Sequence, residues 1–377
     1  MKAWQRGYDL AVLGSLAARF QHHDGDRTRG AFSKVKENTV AAWLDAGRLT
    51  DSGTVLLAAR EAQTRTSVKD FTGRVAVVLP PGAVVIQRAA GPASALAAEI
   101  DRCAAGAPIL WKAWAHHPDE QAAAERLGLR RAGTAISASS EVRTIWVRSP
   151  AQIATPLPAA EEAGIVPLPD LATGDAEALS GWPALVADLW IDHYSSYNAR
   201  RSWHAVGLRS YGGDPAFIEK PSEMSKAWKA EHPDMLHLPV LDTPLMDALP
   251  GARALLAALP CRLQRVRLMR LTVGGELKRH ADITDRDAGV QSGRIARLHL
   301  PVETNPACDF TSWTLADTPT QAHMAAGCWW YLDVRKPHRA VNGGTGDRVH
   351  LVADAVVTRE LREVLDAAAA QNDGSDQ

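Results

Sequence analysis

Three side chains far apart in the chain constrain its fold more than any other feature. His280 and Asp282 sit two residues apart in His280-Ala281-Asp282, so an extended segment points both to one side. His338 adds a second imidazole. Two neutral imidazoles and a carboxylate suit a borderline divalent ion, and Fe(II) is the usual occupant when one face stays open. For His338 to reach the same ion, a distant strand must return beside the first, as in a jelly roll closed around a metal.

The pattern around these residues is that of a β domain. Arg265 to Thr272 alternates, placing Val266, Leu268 and Arg270 on one face and Arg265, Arg267, Met269 and Leu271 on the other. Arg294 to Leu300, Phe310 to Leu315 and Cys328 to Asp333 follow in kind, separated by Gly, Pro and Asp turns. Regularly spaced short strands point to a double-sheet architecture. Arg348 lies in a segment, 347 to 354, that reads as a buried strand. Its guanidinium fits the far carboxylate of 2-oxoglutarate in a two-pronged grip. The competing reading is an ion pair with Asp347 or Asp354. The four side chains together point to iron- and 2-oxoglutarate-dependent hydroxylation of an aliphatic carbon.

A chain of 377 residues exceeds the usual single domain, and 46% hydrophobic with 23% charged residues is an ordinary globular balance. The expected class is α+β in two domains: an α/β domain over 1–148, a Pro/Ala-rich linker over 149–175, the β domain over 176–365, and a disordered tail over 366–377. The linker reading rests on five prolines in two short runs. A net charge of -1 argues against a generally basic nucleic-acid binder. Four dispersed cysteines, Cys103, Cys261, Cys308 and Cys328, fit reduced thiols in a cytosol. No apolar run has the length of a signal peptide or membrane span, so the expected location is cytoplasmic with no membrane partner.

Over roughly residues 260 to 360 the chain resembles the aspartyl/asparaginyl β-hydroxylase-like dioxygenases, which take in some proline hydroxylases. The resemblance rests on four blocks: 297 to 302 (Arg-Leu-His-Leu-Pro-Val), 327 to 333 (Gly-Cys-Trp-Trp-Tyr-Leu-Asp), 337 to 342 (Pro-His-Arg-Ala-Val-Asn) and 347 to 354. It implies a double-stranded β-helix of the jelly-roll or cupin kind. It also implies Fe(II) on His280 and His338, and Arg348 as the 2-oxoglutarate clamp. Arg297 and His299 match an Arg-x-His pair that contacts the cosubstrate in relatives; the alternative for His299 is a hydrogen-bonded core histidine. Some relatives lack the carboxylate ligand that Asp282 supplies here. The loop from Asp282 to Arg297 is long and charged, as a lid over substrate would be.

The substrate implied is a small-molecule or peptidyl amino acid. The segment 195 to 213 concentrates Arg200, Arg201, Trp203, His204, Arg209 and Tyr211, and arginines interleaved with aromatics bind carboxylates, phosphates or stacked bases. A nucleobase or nucleotide is therefore the second substrate class, and a solvated edge with one buried Trp the bland reading. Trp313, Trp329 and Trp330 divide between core and pocket wall.

In the first half, residues 88 to 93 (Arg-Ala-Ala-Gly-Pro-Ala) sit between a strand and a helix and resemble the R/Q-x-x-G-x-G/A loop of GCN5-related N-acetyltransferases. That resemblance implies acetyl-CoA on Arg88, Gly91 and Ala93, with backbone N–H groups cradling its pyrophosphate. Pro92 removes one of the donors. The rivals are acyl transfer by this domain and a non-catalytic domain that recruits substrate.

Overall fold

Residues 10–23, 37–46, 48–137, 140–148, 162–175, 179, 181–195, 198, 201–282 and 290–374 are described by the computed structural model. The chain divides into two units, 1–156 with 315–318, and 157–314 with 319–377.

In the first unit, α1 (Leu10–His23) and α2 (Glu37–Asp45) precede β1 (Leu49–Asp51), β2 (Leu56–Glu61), β3 (Thr66–Lys69), β4 (Val75–Leu79) and β5 (Val84–Ala90). Then come α3 (Ala93–Ala104), β6 (Ile109–Trp114), α4 (Pro118–Arg126), β7 (Arg130–Ile136) and β8 (Val142–Arg148). Six strands form one sheet in the order β1-β2-β5-β6-β8-β7, and β3 pairs β4 separately. β5 and β6 are parallel because α3 carries the chain back across the sheet. Leu96 and Ile100 of α3 pack on Leu57, Ile86 and Trp111, which share the face that alternation assigns them. His116 lies with its Nδ1 2.7 Å from the buried Asp317 Oδ2 within this unit.

The second unit contains β9 (Ile165–Pro167), β10 (Ile191–Asp192), β11 (Trp203–Tyr211), β12 (Val240–Asp242), α5 (Pro250–Ala257), β13 (Leu263–Leu271) and β14 (Glu276–His280). It continues with β15 (Ile295–Glu303), β16 (Cys308–Trp313), β17 (Pro319–Ala322), β18 (Trp330–Leu332), β19 (His338–Asn342), β20 (Arg348–Val356) and α6 (Arg359–Gly374). One sheet runs β10-β11-β13-β20-β15-β18-β9, with β12 beside β11; a second runs β14-β19-β16-β17, and all pairs are antiparallel. The outer face of the larger sheet carries Val266, Leu268, Leu298, Leu300, Leu351 and Ala353, which pack with Leu256 of α5 and Leu361 and Leu365 of α6. The inner face turns toward the smaller sheet, and Ile165, Leu271, Leu277, Phe310, Leu332 and Ala340 from the two sheets share one cluster.

Three expectations about elements need correction. The sequence from about Trp182 to Tyr194 reads as one helix, but it forms one turn, Trp182–Leu185, and a 3-10 turn, Ala187–Leu189, followed by β10. Ile191 pairs Ala205 across the sheet edge, and that ladder outweighs the local helical pattern. Of the expected linker, Ile165–Pro167 is instead an edge strand on β18, while 149–161 lies outside the described residues. The expected tail from 366 is helical to Gly374, because Leu365, Ala368 and Ala369 continue the buried stripe of α6.

Candidate active site

β14 and β19 are neighbours, and their register sets His280 directly opposite His338. Asp282 follows two residues on, just past the strand end. One ligand atom from each of the three lies within 4.8 Å of the others, a spacing that fits a single ion. His280 Nε2 is 3.6 Å from Asp282 Oδ1. Each imidazole donates through Nδ1 to the carbonyl two residues before it: His280 to Lys278 O at 2.7 Å and His338 to Lys336 O at 2.9 Å. Those bonds fix the tautomer and leave both Nε2 lone pairs for a metal. Burial holds the His338 imidazole down to about 4, with repulsion from His280 adding to the effect, so it is neutral and ready to ligate.

The turn before His338 is fixed by charge. Arg335 donates to both oxygens of the buried Asp333, at 2.7 and 3.0 Å, and the buried Lys336 amine reaches Asp333 at 3.4 Å and Ala163 O at 3.0 Å. Asp282 is anchored equally firmly. Burial alone would raise its carboxyl, but Arg297 and the two histidines hold it well below the usual carboxylate range. Arg297 Nη1 donates to Asp282 Oδ2, and its Nε donates to Asp354 Oδ1 at 2.9 Å. The second bond follows from register, since Arg297 and Asp354 are cross-strand partners on β15 and β20.

Behind the triad lies a cavity of about 480 Å³ walled by the inner faces of β13, β15 and β20. Arg348 lines it and is 7% exposed. Neither carboxylate of the competing ion-pair reading reaches it: Asp347 pairs Arg270 at 3.8 Å, and Asp354 is shared by Arg265, Arg267 and Arg297. Among the described residues Arg348 has one polar partner, His350, whose Nδ1 lies 3.2 Å from its Nη2. Burial brings the Arg348 guanidinium down to about 10, so it stays charged. A buried cation without a counterion costs several kcal/mol, roughly, which an incoming carboxylate offsets.

The neighbouring histidines are read from the same bond. Arginine only donates, so His350 Nδ1 accepts and its proton sits on Nε2. His299 Nδ1, 3.3 Å from that nitrogen, then carries the His299 proton, and His299 Nε2 is an acceptor. Both Nε2 atoms are buried without partners among the described residues. Burial, reinforced by Arg348, lowers both imidazoles well below their ordinary value, so the pair is neutral.

Three arginines share Asp354. Arg265 holds it at 2.9 Å and Arg297 at 2.9 Å, while Arg267 Nη2 stands off at 3.7 Å with its Nε buried and unpartnered among the described residues. Burial and Arg265 pull Arg267 down to about 10. Glu223, also at the cavity, accepts from Tyr194 Oη at 2.7 Å and lies 3.9 Å from buried Lys220. Cationic charge is therefore in excess, and of the three arginines around Asp354, Arg267 is the one with most left to bind. Sequence reasoning had Arg265 and Arg267 on one strand face with Met269 but assigned them no task. Their signal was charge on the inward side of an otherwise apolar strand.

The expected substrate residues scatter. Trp203 lines the cavity, its ring stacked on His193 at 3.5 Å between centroids. Arg209 is committed to Asp242 at 2.6 Å, and Arg201 is exposed and 3.7 Å from Asp192. Trp313 is buried beneath Arg279, 4.2 Å from its ring centroid, and is absent from the cavity wall. Arg200 and positions 283–289 of the expected lid lie outside the described residues. In the first unit, Ala93 N–H donates to Asp119 Oδ1 at 3.2 Å. With Pro92 offering no donor, the start of α3 presents a carboxylate where a pyrophosphate would have to sit. Gly91, at φ 144°, is held there because a Cβ would meet Thr54 O at 2.8 Å. Arg88 turns instead toward the Trp114 ring.

Fold and site together define a two-sheet β domain with two histidines and a carboxylate grouped as they could hold a metal ion, and a buried arginine lining the same cavity. Residues 177–357 match the aspartyl/asparaginyl beta-hydroxylase family. The L-proline cis-4-hydroxylase of Rhizobium meliloti (strain 1021) is 30% identical over 122 residues; the match takes in 32% of this chain and 40% of that relative's length. Among solved structures, a prolyl-4-hydroxylase from Pseudomonas putida is 14% identical, covering 50% of this chain and 90% of its own, with a TM-score of 0.30. HygX from Streptomyces hygroscopicus, with nickel and 2-oxoglutarate bound, is 13% identical over 53% of this chain and 85% of its own, with a TM-score of 0.33. No helix among the described residues is long and apolar enough to cross a membrane.

Proposed function

We propose that this chain is an Fe(II)- and 2-oxoglutarate-dependent hydroxylase whose substrate is a free amino acid, held by its carboxylate. The observation that carries the reading is Arg348: a buried guanidinium with no carboxylate partner among the described residues, lining the same cavity as the three metal-ligand side chains. Fe(II), bound by His280, Asp282 and His338, supplies with 2-oxoglutarate and O2 the oxidation of an aliphatic C–H, releasing succinate and CO2. The protein's own residues position and exclude. Arg348 takes the distal carboxylate of 2-oxoglutarate, and His350 Nε2–H stands close by as a neutral donor. Arg297 keeps Asp282 ionised and oriented. The stacked Trp203 and His193 close part of the wall against water.

The substrate class follows from charge. Once 2-oxoglutarate has neutralised Arg348, Arg267 remains under-partnered, and a second carboxylate completes it. The family match over residues 177–357 and the likeness to an L-proline hydroxylase support a free amino acid. The two-sheet arrangement supports a double-stranded β-helix. The nucleotide alternative rested on the 200–211 arginines, and Arg209 and Arg201 face other partners.

Succinate release by anaerobically iron-loaded protein, assayed in air with pools of free amino acids, capped peptides and nucleosides, tests the reading. Stimulation by one amino acid, with a mass gain of one oxygen in it, is the expected result. Stimulation by capped peptides alone would remove the carboxylate clamp, and none by any pool would remove the hydroxylase.

A further inference from the structure

The first unit holds a second cavity, of about 670 Å³, built wholly from residues 60–143. It opens on the sheet face turned away from α3 and α4. Alternation decides its lining: Ile86 and Trp111 point to the helices, so Val85, Leu110 and Lys112 point the other way. A β-bulge at Gln87, where Ala58 and Ala59 face Arg88 and Ile86, lets Gln87 and Arg88 both reach the cavity.

Five cationic side chains from five strands converge there: Arg60, Lys69, Arg88, Lys112 and Arg143. Glu141 is the one carboxylate in the lining, 3.6 Å from Arg143. Arg143 stacks on Trp114 at 3.5 Å from the ring centroid, and Arg88 reaches the same ring at 5.9 Å. Glu141 offsets one of these charges, and Arg60, Lys69 and Lys112 leave the cavity wall with a net positive charge. Burial, with Arg143 adding to it, lowers the Lys112 amine. Gln87 Oε1 is buried without a partner among the described residues, an acceptor that awaits a donor.

We propose that this cavity binds a small, multiply charged anion, a phosphate ester or a polycarboxylate, with its non-ionic part on the apolar floor of Val85, Leu110 and Ala135. A concave wall of one sign focuses the field on a ligand of the opposite sign. The site is separate from the start of α3, where Asp119 occupies the Ala93 amide.

Calorimetric titration of the full chain with sodium pyrophosphate and with citrate, repeated on Lys112→Gln and Arg60→Gln, tests the assignment. Lys112 keeps part of its surface in solvent and Arg60 is half-buried, so both variants should keep the parent melting temperature. At least one anion should bind, and each substitution should weaken it about tenfold, the scale of one charge-assisted hydrogen bond. Stronger binding of pyrophosphate assigns the site to phosphate esters, and stronger binding of citrate to polycarboxylates. Failure of both anions to bind, or binding that neither substitution weakens, overturns the proposal.

Discussion

Arg297 ties Asp282 to Asp354: one arm donates to the free oxygen of the metal-ligand carboxylate, the other to a carboxylate buried in the sheet. Asp282 stands just past the end of β14, where no ladder bond fixes its side chain, so Arg297 is what orients it. Arg297→Met should weaken Fe(II) or Mn(II) binding about 10- to 100-fold, the usual scale for losing an outer-shell partner. Asp354 keeps Arg265 and Arg267, so the fold should survive. Metal titration beside a far-UV spectrum checks both parts, and unchanged affinity would show that Asp282 needs no orienting partner.

Arg348 should behave in opposite senses with and without ligand. Arg348→Met removes a buried cation that has only His350 beside it, so the ligand-free protein should gain about 1–3 kcal/mol, the desolvation cost of such a group. The same change should cost 2-oxoglutarate about 3 kcal/mol of binding, roughly a hundredfold. Denaturant unfolding and 2-oxoglutarate calorimetry read the two effects. A variant that loses stability while binding 2-oxoglutarate normally would make Arg348 a structural residue.

The grouping of His280, Asp282 and His338, and the place of Arg348 in the same cavity, were legible because each is a polar residue that an apolar strand does not need for packing. The charge network behind them was harder to read. Arg265 and Arg267 lie on β13, Arg297 on β15 and Asp354 on β20, and only the antiparallel register of these strands brings them together. Alternation named their face but not their partners. Arg209 was misread for the converse reason, since its partner Asp242 belongs to a short strand, β12, that no periodicity announced. The helix expected through Tyr194 failed where edge pairing with β11 overrode local preference.

Three buried histidines, together with His338, weaken the fold in acid. Burial lowers His193, His299 and His350 well below 6.5, with nearby arginines reinforcing the shift in each. The folded chain therefore keeps them neutral, while the unfolded chain protonates them near their ordinary value. Below about 6.5 the unfolded state binds more protons, so stability is full above that pH and falls as pH drops through it. Unfolding in urea at pH 8 and pH 5.5 should show the loss, and His350→Gln should reduce it. A stability independent of pH across that interval would mean that these imidazoles are solvated.

Arg267 separates a free amino acid from every other substrate of the same pocket. Its guanidinium stands 3.7 Å from an Asp354 that Arg265 and Arg297 already occupy, and its Nε faces no acceptor among the described residues. A substrate carboxylate supplies that acceptor and fixes which carbon faces the metal. Arg267→Gln should therefore raise KM for the amino acid by about a hundredfold, the cost of a buried charge-assisted pair. The requirement for 2-oxoglutarate should stay nearly unchanged, because Arg348 is untouched. In the parent enzyme, the methyl ester of the amino acid should show the same KM defect, and Arg267→Gln should scarcely distinguish ester from acid. If the variant instead loses 2-oxoglutarate binding while keeping its preference for acid over ester, Arg267 serves the cosubstrate, and the substrate carboxylate is held elsewhere.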